Sequence, residues 1–202
     1  MTLSLEDGRV VVELARSTLD SFVSGKHPKV RSWPTGFLSE PRGVFVTLNT
    51  SATVGERLRG CIGFPYPVKK LGEAIQEATV AAASEDPRFP PVSPKELDSI
   101  LVEVSVLTLP RQIESPRRQD IPKLVRIGED GLIVSRSYSS GLLLPQVATE
   151  FGLDSEEFLS QACMKAGLTP DAWLDKETQL QVFQAEIFAE QSPRGAVVRP
   201  KT

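Results

Sequence analysis

Residues 99–109 alternate in a way that restricts the fold more than any other segment of the chain. Every second position there is a β-branched apolar residue, namely Ile100, Val102, Val104 and Val106. Successive side chains of a β-strand point to opposite faces, so this set predicts a strand with one buried face. Glu103 lies on the other face and interrupts an otherwise apolar segment. The chain is therefore expected to build a sheet against which its remaining elements pack.

Other segments carry helical or strand patterns of their own. Capping residues and apolar spacing predict helices over residues 4–25, 71–82, 145–151 and 154–166. Further strands are predicted over 43–48, 57–64 and 180–188, and a change of phase in the last suggests a β-bulge. Residues 124–127 and 132–135 flank Asp130-Gly131, which favours a tight hairpin turn.

The irregular order of helices and strands indicates the fold class. We predict an α/β fold of the α+β type, with a mixed, largely antiparallel central sheet flanked by helices and two subdomains. A chain of 202 residues is within the range of one domain, which we place at residues 1–190 with two lobes. Residues 191–202 are polar and contain proline and arginine, and they predict a flexible tail.

Charge and hydropathy exclude several classes of function. The 26 acidic and 23 basic residues are interspersed and give a net charge of -3, unlike the basic surface of a nucleic-acid-binding protein. No apolar run is long enough to span a bilayer, and the first residues lack the pattern of a signal peptide. We expect a cytoplasmic protein that binds neither membranes nor nucleic acids. Cys61 and Cys163 are far apart in sequence and are expected to be reduced.

Histidine chemistry is restricted by the presence of a single histidine, His27, in a turn-like segment. Cys/His zinc sites and histidine-based triads would all have to use this one imidazole. A solvent-exposed loop histidine is the simpler interpretation. We therefore predict no metal and no cofactor.

The segment Arg59-Gly60-Cys61 is the best candidate for a site. Strand alternation places Arg59 and Cys61 on one face, roughly 7 Å apart between Cα atoms, where a guanidinium can stabilise a thiolate. Gly60 leaves room for another backbone or a ligand to approach. The alternative is equally open: Cys61 is then a small core residue, and Arg59 is the partner of a structural ion pair.

Three further charged residues are candidates for the same site. Asp86 and Arg88 lie in a loop that prolines stiffen, and Arg88 is suited to clamp a carboxylate or phosphate. An Asp86–Arg88 ion pair that only locks the loop is the alternative. Glu103 requires a cation if it is half-buried, and Arg59 is the predicted partner. Cys163 shares a helical apolar stripe and is predicted to pack in the core.

Several motifs in order resemble the AMMECR domain family, and the resemblance covers residues 4–188. The motifs are Leu-Arg-Gly-Cys-Ile-Gly at 58–63, Asp-Pro-Arg-Phe-Pro-Pro-Val at 86–92, Glu-Val-Ser-Val-Leu at 103–107, Gly-Leu-Leu-Leu-Pro-Gln-Val-Ala at 141–148 and Cys-Met-Lys-Ala-Gly-Leu at 163–168. The resemblance implies two subdomains around a largely antiparallel sheet. It also implies that the hexapeptide at 58–63 is the functional site, without assigning a reaction, and that Memo-type and radical SAM proteins act in the same pathway.

Two functions are compatible with these residues. The first is a small-molecule enzyme or ligand-binding protein with a cleft around residues 58–63. In it Cys61 is central and Glu103 or Asp86 moves protons. The ligand-binding residues are Arg59, Gly60, Asp86 and Arg88. The second is a non-catalytic interaction or regulatory module, in which the same residues only maintain the fold. The sequence leaves open whether the protein is an enzyme.

Overall fold

A computed structural model describes residues 2–26, 36–51 and 56–200, so His27 lies outside the described residues. The chain forms two compact units, Met1–Leu107 with Glu186–Lys201, and Thr108–Ala185. Each unit has its own hydrophobic core. No helix among the described residues is long and apolar enough to cross a membrane.

The described elements are numbered here in chain order. The strands are β1 (Val44–Ser51), β2 (Glu56–Phe64), β3 (Ile100–Leu107), β4 (Arg111–Gln112), β5 (Gly131–Arg136), β6 (Ser139–Leu143), β7 (Gln179–Phe183), β8 (Ala185–Glu190) and β9 (Val197–Val198). The α-helices are α1 (Leu5–Val23), α2 (Leu71–Ser84), α3 (Pro145–Glu150) and α4 (Ser155–Lys165). Short 3-10 helices span Phe37–Ser39, Pro94–Glu96, Arg118–Leu124 and Ala172–Leu174.

Two antiparallel arrangements account for most of the strand pairing. The first sheet has the order β2-β1-β3-β8-β9, with β1 antiparallel to both β2 and β3. The second has the order β4-β7-β5-β6. The predicted α+β fold with largely antiparallel pairing and flanking helices is confirmed. The structure has two sheets, however, where one central sheet was predicted.

The helices and strands of the first unit follow their sequence signals closely. Ser4 and Asp7 form a reciprocal capping box at the start of α1. In β3 the four β-branched residues of the predicted buried face are completely inaccessible to solvent. The alanines of α2 at positions 74, 78 and 82 are also buried and allow the helix to lie close against the sheet. Sequence periodicity was a sufficient guide here because one face of each element is buried.

Three predictions in and beside the second unit are wrong. Residues 124–127 form no strand, and Asp130-Gly131 is no hairpin turn. Instead β5 pairs with β6 around Ser137, which has a φ of 53°. Asp130 is buried and accepts hydrogen bonds from the backbone N–H of Arg126 and from the Gln184 side chain, so its carboxylate holds a loop. The phase change near Gln184 is no bulge: β7 ends there, and β8 begins in the other sheet.

The C-terminal segment, whose composition predicts a flexible tail, includes a short strand. β9 pairs with the end of β8, with Val198 opposite Ala189. Arg194 bonds to the carboxylates of Asp20 and Asp98. The guanidinium of Arg199 lies 4.5 Å from the ring centroid of Phe188. Ion pairs, strand pairing and a cation–π contact hold a segment that is polar in composition.

A buried ion pair connects α1 to the sheet of the first unit. Arg16 donates from Nε to Oε1 of Glu190 at 2.9 Å and from Nη2 to Oε2 at 2.5 Å. The same Nη2 donates to the carbonyl of Ile100, and the Val102 N–H donates to Glu190. Arg16 is 7% exposed and Glu190 4% exposed, so both charges depend on each other and on these backbone partners.

Replacing Arg16 by methionine is therefore expected to lower the free energy of unfolding by about 3 to 5 kcal/mol, because it leaves the Glu190 carboxylate buried without a cation. Arg9→Met is the matched control, since Arg9 pairs with Glu6 on the same helix but both side chains are more than half exposed. The control is expected to change stability by less than about 1 kcal/mol. Chemical denaturation of both variants measures the difference, and equal losses would contradict the structural role of Arg16.

Candidate functional site

Three side chains form a row across the first sheet. Cys61 on β2 is opposite Thr47 on β1, and Thr47 is opposite Glu103 on β3. Directly opposed residues of neighbouring antiparallel strands share a face and lie close together. The Thr47 hydroxyl is 3.4 Å from Sγ of Cys61 and donates a hydrogen bond to it. We call these residues the Cys61 row.

The Cys61 row lies on the half-buried face of the sheet. The opposite face carries Val46 and Val104, which are completely buried in the core. Thr47, Cys61 and Glu103 are each only partly buried. Cys163 differs, since its side chain is inaccessible and packs in the core of the second unit, as its helical stripe indicated. Of the two thiols, solvent reaches that of Cys61.

Asp86 and Arg88 bond to the backbone of Cys61 at the open edge of the sheet. β2 is an edge strand, so its outward N–H and C=O groups have no neighbouring strand to pair with. Oδ2 of Asp86 accepts the Cys61 N–H at 2.9 Å, and Nη2 of Arg88 lies 3.5 Å from the Cys61 carbonyl oxygen. The loop after α2 thereby takes the place of a neighbouring strand at this one residue.

The carboxylate of Asp86 is engaged by four donors. Besides Cys61 N–H, it accepts the backbone N–H of Arg88 at 3.1 Å, Nε at 2.9 Å and Nη2 at 2.7 Å. The Arg88 guanidinium is the main cause that holds the pKa of Asp86 far below its usual range. A buried carboxylate with such donors is a poor proton acceptor at neutral pH. These contacts give Asp86 a positioning role, and the side chain of Arg88 remains 53% exposed.

Arg59 does not pair with Glu103, so that predicted contact is wrong. The β1–β2 register shifts between Leu48 and Asn49, whose partners are Gly60 and Leu58, and Arg59 is the extra residue of this bulge. Its Nε donates to Oε1 of Glu96 at 2.7 Å, and its guanidinium lies 5.9 Å from the ring centroid of Phe89. A bulge redirects a side chain, which strand alternation alone cannot predict.

Gly60 is required for the approach of α2. A side-chain carbon at this position would collide with the carbonyl oxygen of Ala82 near the end of the helix. The space that the glycine leaves is therefore occupied by another backbone. This contact brings the loop that carries Asp86 and Arg88 beside β2.

Burial sets the resting state of the Cys61 thiol. Desolvation is the largest effect and raises the pKa of Cys61, while the Thr47 hydrogen bond and the charge of Arg88 act in the opposite direction. The charges of Asp86 and Glu103 raise it further by smaller amounts. At neutral pH the group is a neutral thiol. The cation that acts on it is Arg88, whereas the sequence suggested Arg59.

Sequence reasoning overlooked two residues that matter here. Thr47 occupies the strand position that alternates with Val46 and Leu48, so its polar side chain marks the second face of β1. Glu96 follows Ser93 by three positions, a capping-box pattern, and both the backbone and hydroxyl of Ser93 donate to it. Among residues 2–26, 36–51 and 56–200, no group of three His, Cys, Asp or Glu side chains is arranged to hold a metal ion.

The Arg59–Glu96 pair predicts a specific dependence of stability on pH. The Arg59 guanidinium is the main cause that lowers the pKa of Glu96 from 4.5 to about 2. A carboxyl with a depressed folded-state pKa stabilises the protein fully above 4.5, and this contribution is lost as the pH falls towards 2. Denaturation of Glu96→Gln across this range is expected to show a weaker pH dependence than the parent protein. Identical pH profiles of Glu96→Gln and the parent protein would contradict the pair. Glu13→Gln serves as the control, because Glu13 is exposed.

Comparison with known proteins shows the family to which the chain belongs. The AMMECR1 family model matches residues 12–188. Protein MJ0810 of Methanocaldococcus jannaschii is 46% identical over 98% of each chain, and protein TK0174 of Thermococcus kodakarensis is 50% identical over 96% of this chain and 95% of its own. The crystal structure of protein PH0010 from Pyrococcus horikoshii superposes with a TM-score of 0.83 at 47% identity, covering 98% of each chain. The chain belongs to the AMMECR1 family.

Proposed function

We propose that this AMMECR1-family protein binds and acts on a small electrophilic molecule at the Cys61 row. The observation that carries the proposal is a partly exposed thiol that is held from two sides. The Asp86–Arg88 pair holds its backbone, and the Thr47 hydroxyl holds its sulfur. Cys163 differs, because its side chain is inaccessible to solvent and packs in the core of the second unit.

The chemistry that fits the row is addition of the thiol to a carbonyl carbon. A carbon–sulfur bond forms, and the carbonyl π electrons move onto its oxygen. For the thiol proton to reach the Glu103 carboxylate, the Thr47 hydroxyl rotates away from donating to Sγ; it then accepts the thiol proton and gives its own proton to Glu103. Because the resting thiol is neutral, deprotonation accompanies the attack. Arg88 supplies positive charge beside the site. Asp86 holds Arg88 in position, and Glu96 holds Arg59.

A non-catalytic interaction module is the second candidate. The observation that favours it is that Arg59 and Asp86 are bonded to protein groups, as residues with a purely structural role would be. In that case the reactivity of Cys61 has no importance. The Memo-type and radical SAM proteins that the family resemblance suggested are hypotheses for its pathway under either function.

Alkylation of the native protein tests whether the Cys61 thiol is available. Brief treatment with iodoacetamide at pH 8 is expected to modify Cys61 at least about tenfold faster than Cys163, because only Cys61 is reached by solvent. The rate is expected to keep rising above pH 9, since burial raises the pKa of Cys61. Peptide mass spectrometry measures both sites. Equal protection of the two thiols would overturn the proposal and favour the interaction module.

Substitution of Arg88 tests the electrostatic part of the site. Arg88→Gln removes the cation that lowers the pKa of Cys61 and is expected to slow its alkylation, whereas Arg88→Lys keeps the charge and loses less. Arg57→Gln is the matched control, because Arg57 is an exposed arginine on β2, the strand that carries Cys61. An equal effect of Arg57→Gln would show that Arg88 has no special role.

Substitution of Glu103 separates proton transfer from simple electrostatics. If Glu103 accepts the thiol proton, Glu103→Gln slows the reaction of Cys61 with a carbonyl electrophile at neutral pH. If Glu103 only contributes charge, its removal lowers the pKa of Cys61 and speeds the reaction. The sign of the rate change therefore decides the point. An acceleration would contradict the proposed proton transfer.

A further inference from the structure

A second candidate site lies in the second unit and contains none of the residues of the Cys61 site. It is a cleft of about 280 Å³. Its polar lining includes Gln112, Glu114, Ser115, Arg118, Lys176 and Thr178. The volume corresponds to roughly nine water molecules at about 30 Å³ each, which suits a small polar ligand.

Backbone carbonyls hold the Arg118 guanidinium in place. No carboxylate of the described residues contacts it directly, so its positive charge is not neutralised. Its Nε donates to the Trp173 carbonyl at 3.0 Å, and Nη2 donates to the carbonyls of Asp175 and Thr178, both at 2.7 Å. No ion pair within 4.0 Å joins it to an acidic side chain of the described residues. The carboxylate of Asp175 is 3.0 Å from Arg136 instead. The guanidinium is thus fixed in place with its charge available.

Two other groups add donors to the cleft. Lys176 is exposed and contributes a second positive charge. Thr178 is 1% exposed, and its hydroxyl has no hydrogen-bond partner among the residues that the structure describes. A buried polar group without a partner is costly and calls for an explanation. The carboxylate of Glu114 accepts a hydrogen bond from the Gln112 side chain at 2.8 Å, which restrains it.

From these groups we infer that the cleft binds the oxyanion group of a small molecule, either a phosphate or a carboxylate. Arg118 and Lys176 supply the charge, and the hydroxyls of Thr178 and Ser115 supply neutral donors. Arginine held by backbone carbonyls is preorganised, so binding requires little reordering of its side chain. One acidic side chain against two basic ones leaves the lining with a net positive charge. The site is independent of the thiol chemistry proposed for Cys61.

Titration of the full chain with inorganic phosphate, and separately with acetate, tests the inference. At constant ionic strength, phosphate is expected to shift the backbone amide signals of residues 112–118 and 176–180 saturably in two-dimensional NMR spectra. Saturation by phosphate alone assigns a phosphate site, and saturation by acetate as well assigns a general oxyanion site. The absence of saturable shifts in both segments with both anions would overturn the inference.

Matched variants identify the groups responsible. Lys176→Gln is expected to weaken anion binding about tenfold, whereas Lys165→Gln, at an exposed lysine of α4 outside the cleft, leaves it unchanged. Thr178→Val is expected to weaken anion binding without lowering the free energy of unfolding. The Thr178 hydroxyl makes no hydrogen bond to a described residue, so its removal breaks none. Arg118 is left intact because it holds three carbonyls. Equal anion binding by Lys176→Gln and Lys165→Gln would overturn the site. Cys61→Ser leaves the cleft intact, so anion binding by this variant tests the cleft separately from the proposed function.

Discussion

The hydrogen bond from the Cys61 N–H to the Asp86 carboxylate connects the parts of the first unit on which its candidate site depends. An edge strand exposes backbone groups that need polar partners, and β2 is such a strand. Asp86 and Arg88 supply those partners at one residue only. For the loop to reach β2, the end of α2 must approach the strand, which the absence of a side chain at Gly60 permits.

Because of this hydrogen bond, the charged residues near Cys61 fall into two groups. Some hold other groups in position, and one is placed to take part in the proposed chemistry. Asp86 binds Arg88 and the backbone of Cys61, so its carboxylate has no capacity left for a substrate proton. Glu96 holds Arg59 in the same way. Glu103 is the carboxylate that shares the partly exposed face with the thiol. The motif at 58–63 and the motif at 86–92 thus act together, because one supplies the thiol and the other holds its backbone.

Arg16, Arg59 and Arg118 are largely or partly buried, and they differ in how their charges are compensated. In the first unit, Arg16 and Arg59 each meet a carboxylate, so their charges are compensated within the protein. In the second, Arg118 is surrounded by backbone carbonyls, which bind a guanidinium without neutralising it. A partly buried cation without an ion pair favours an external anion. This difference supports the proposed anion site in the second unit.

Sequence periodicity determined the elements with one buried face, because burial imposes a regular pattern on a strand or helix. It therefore predicted β3, α1 and α2, whereas the proposal of Cys61 as the central residue of the candidate site came from thiol chemistry and the family resemblance. Only the tertiary structure decided where Arg59 points, since the bulge in β2 depends on pairing with β1. It also decided that residues 180–188 divide between two sheets and that Thr47 lies beside the thiol. Contacts between residues distant in sequence set these features, and a local pattern carries no information about them.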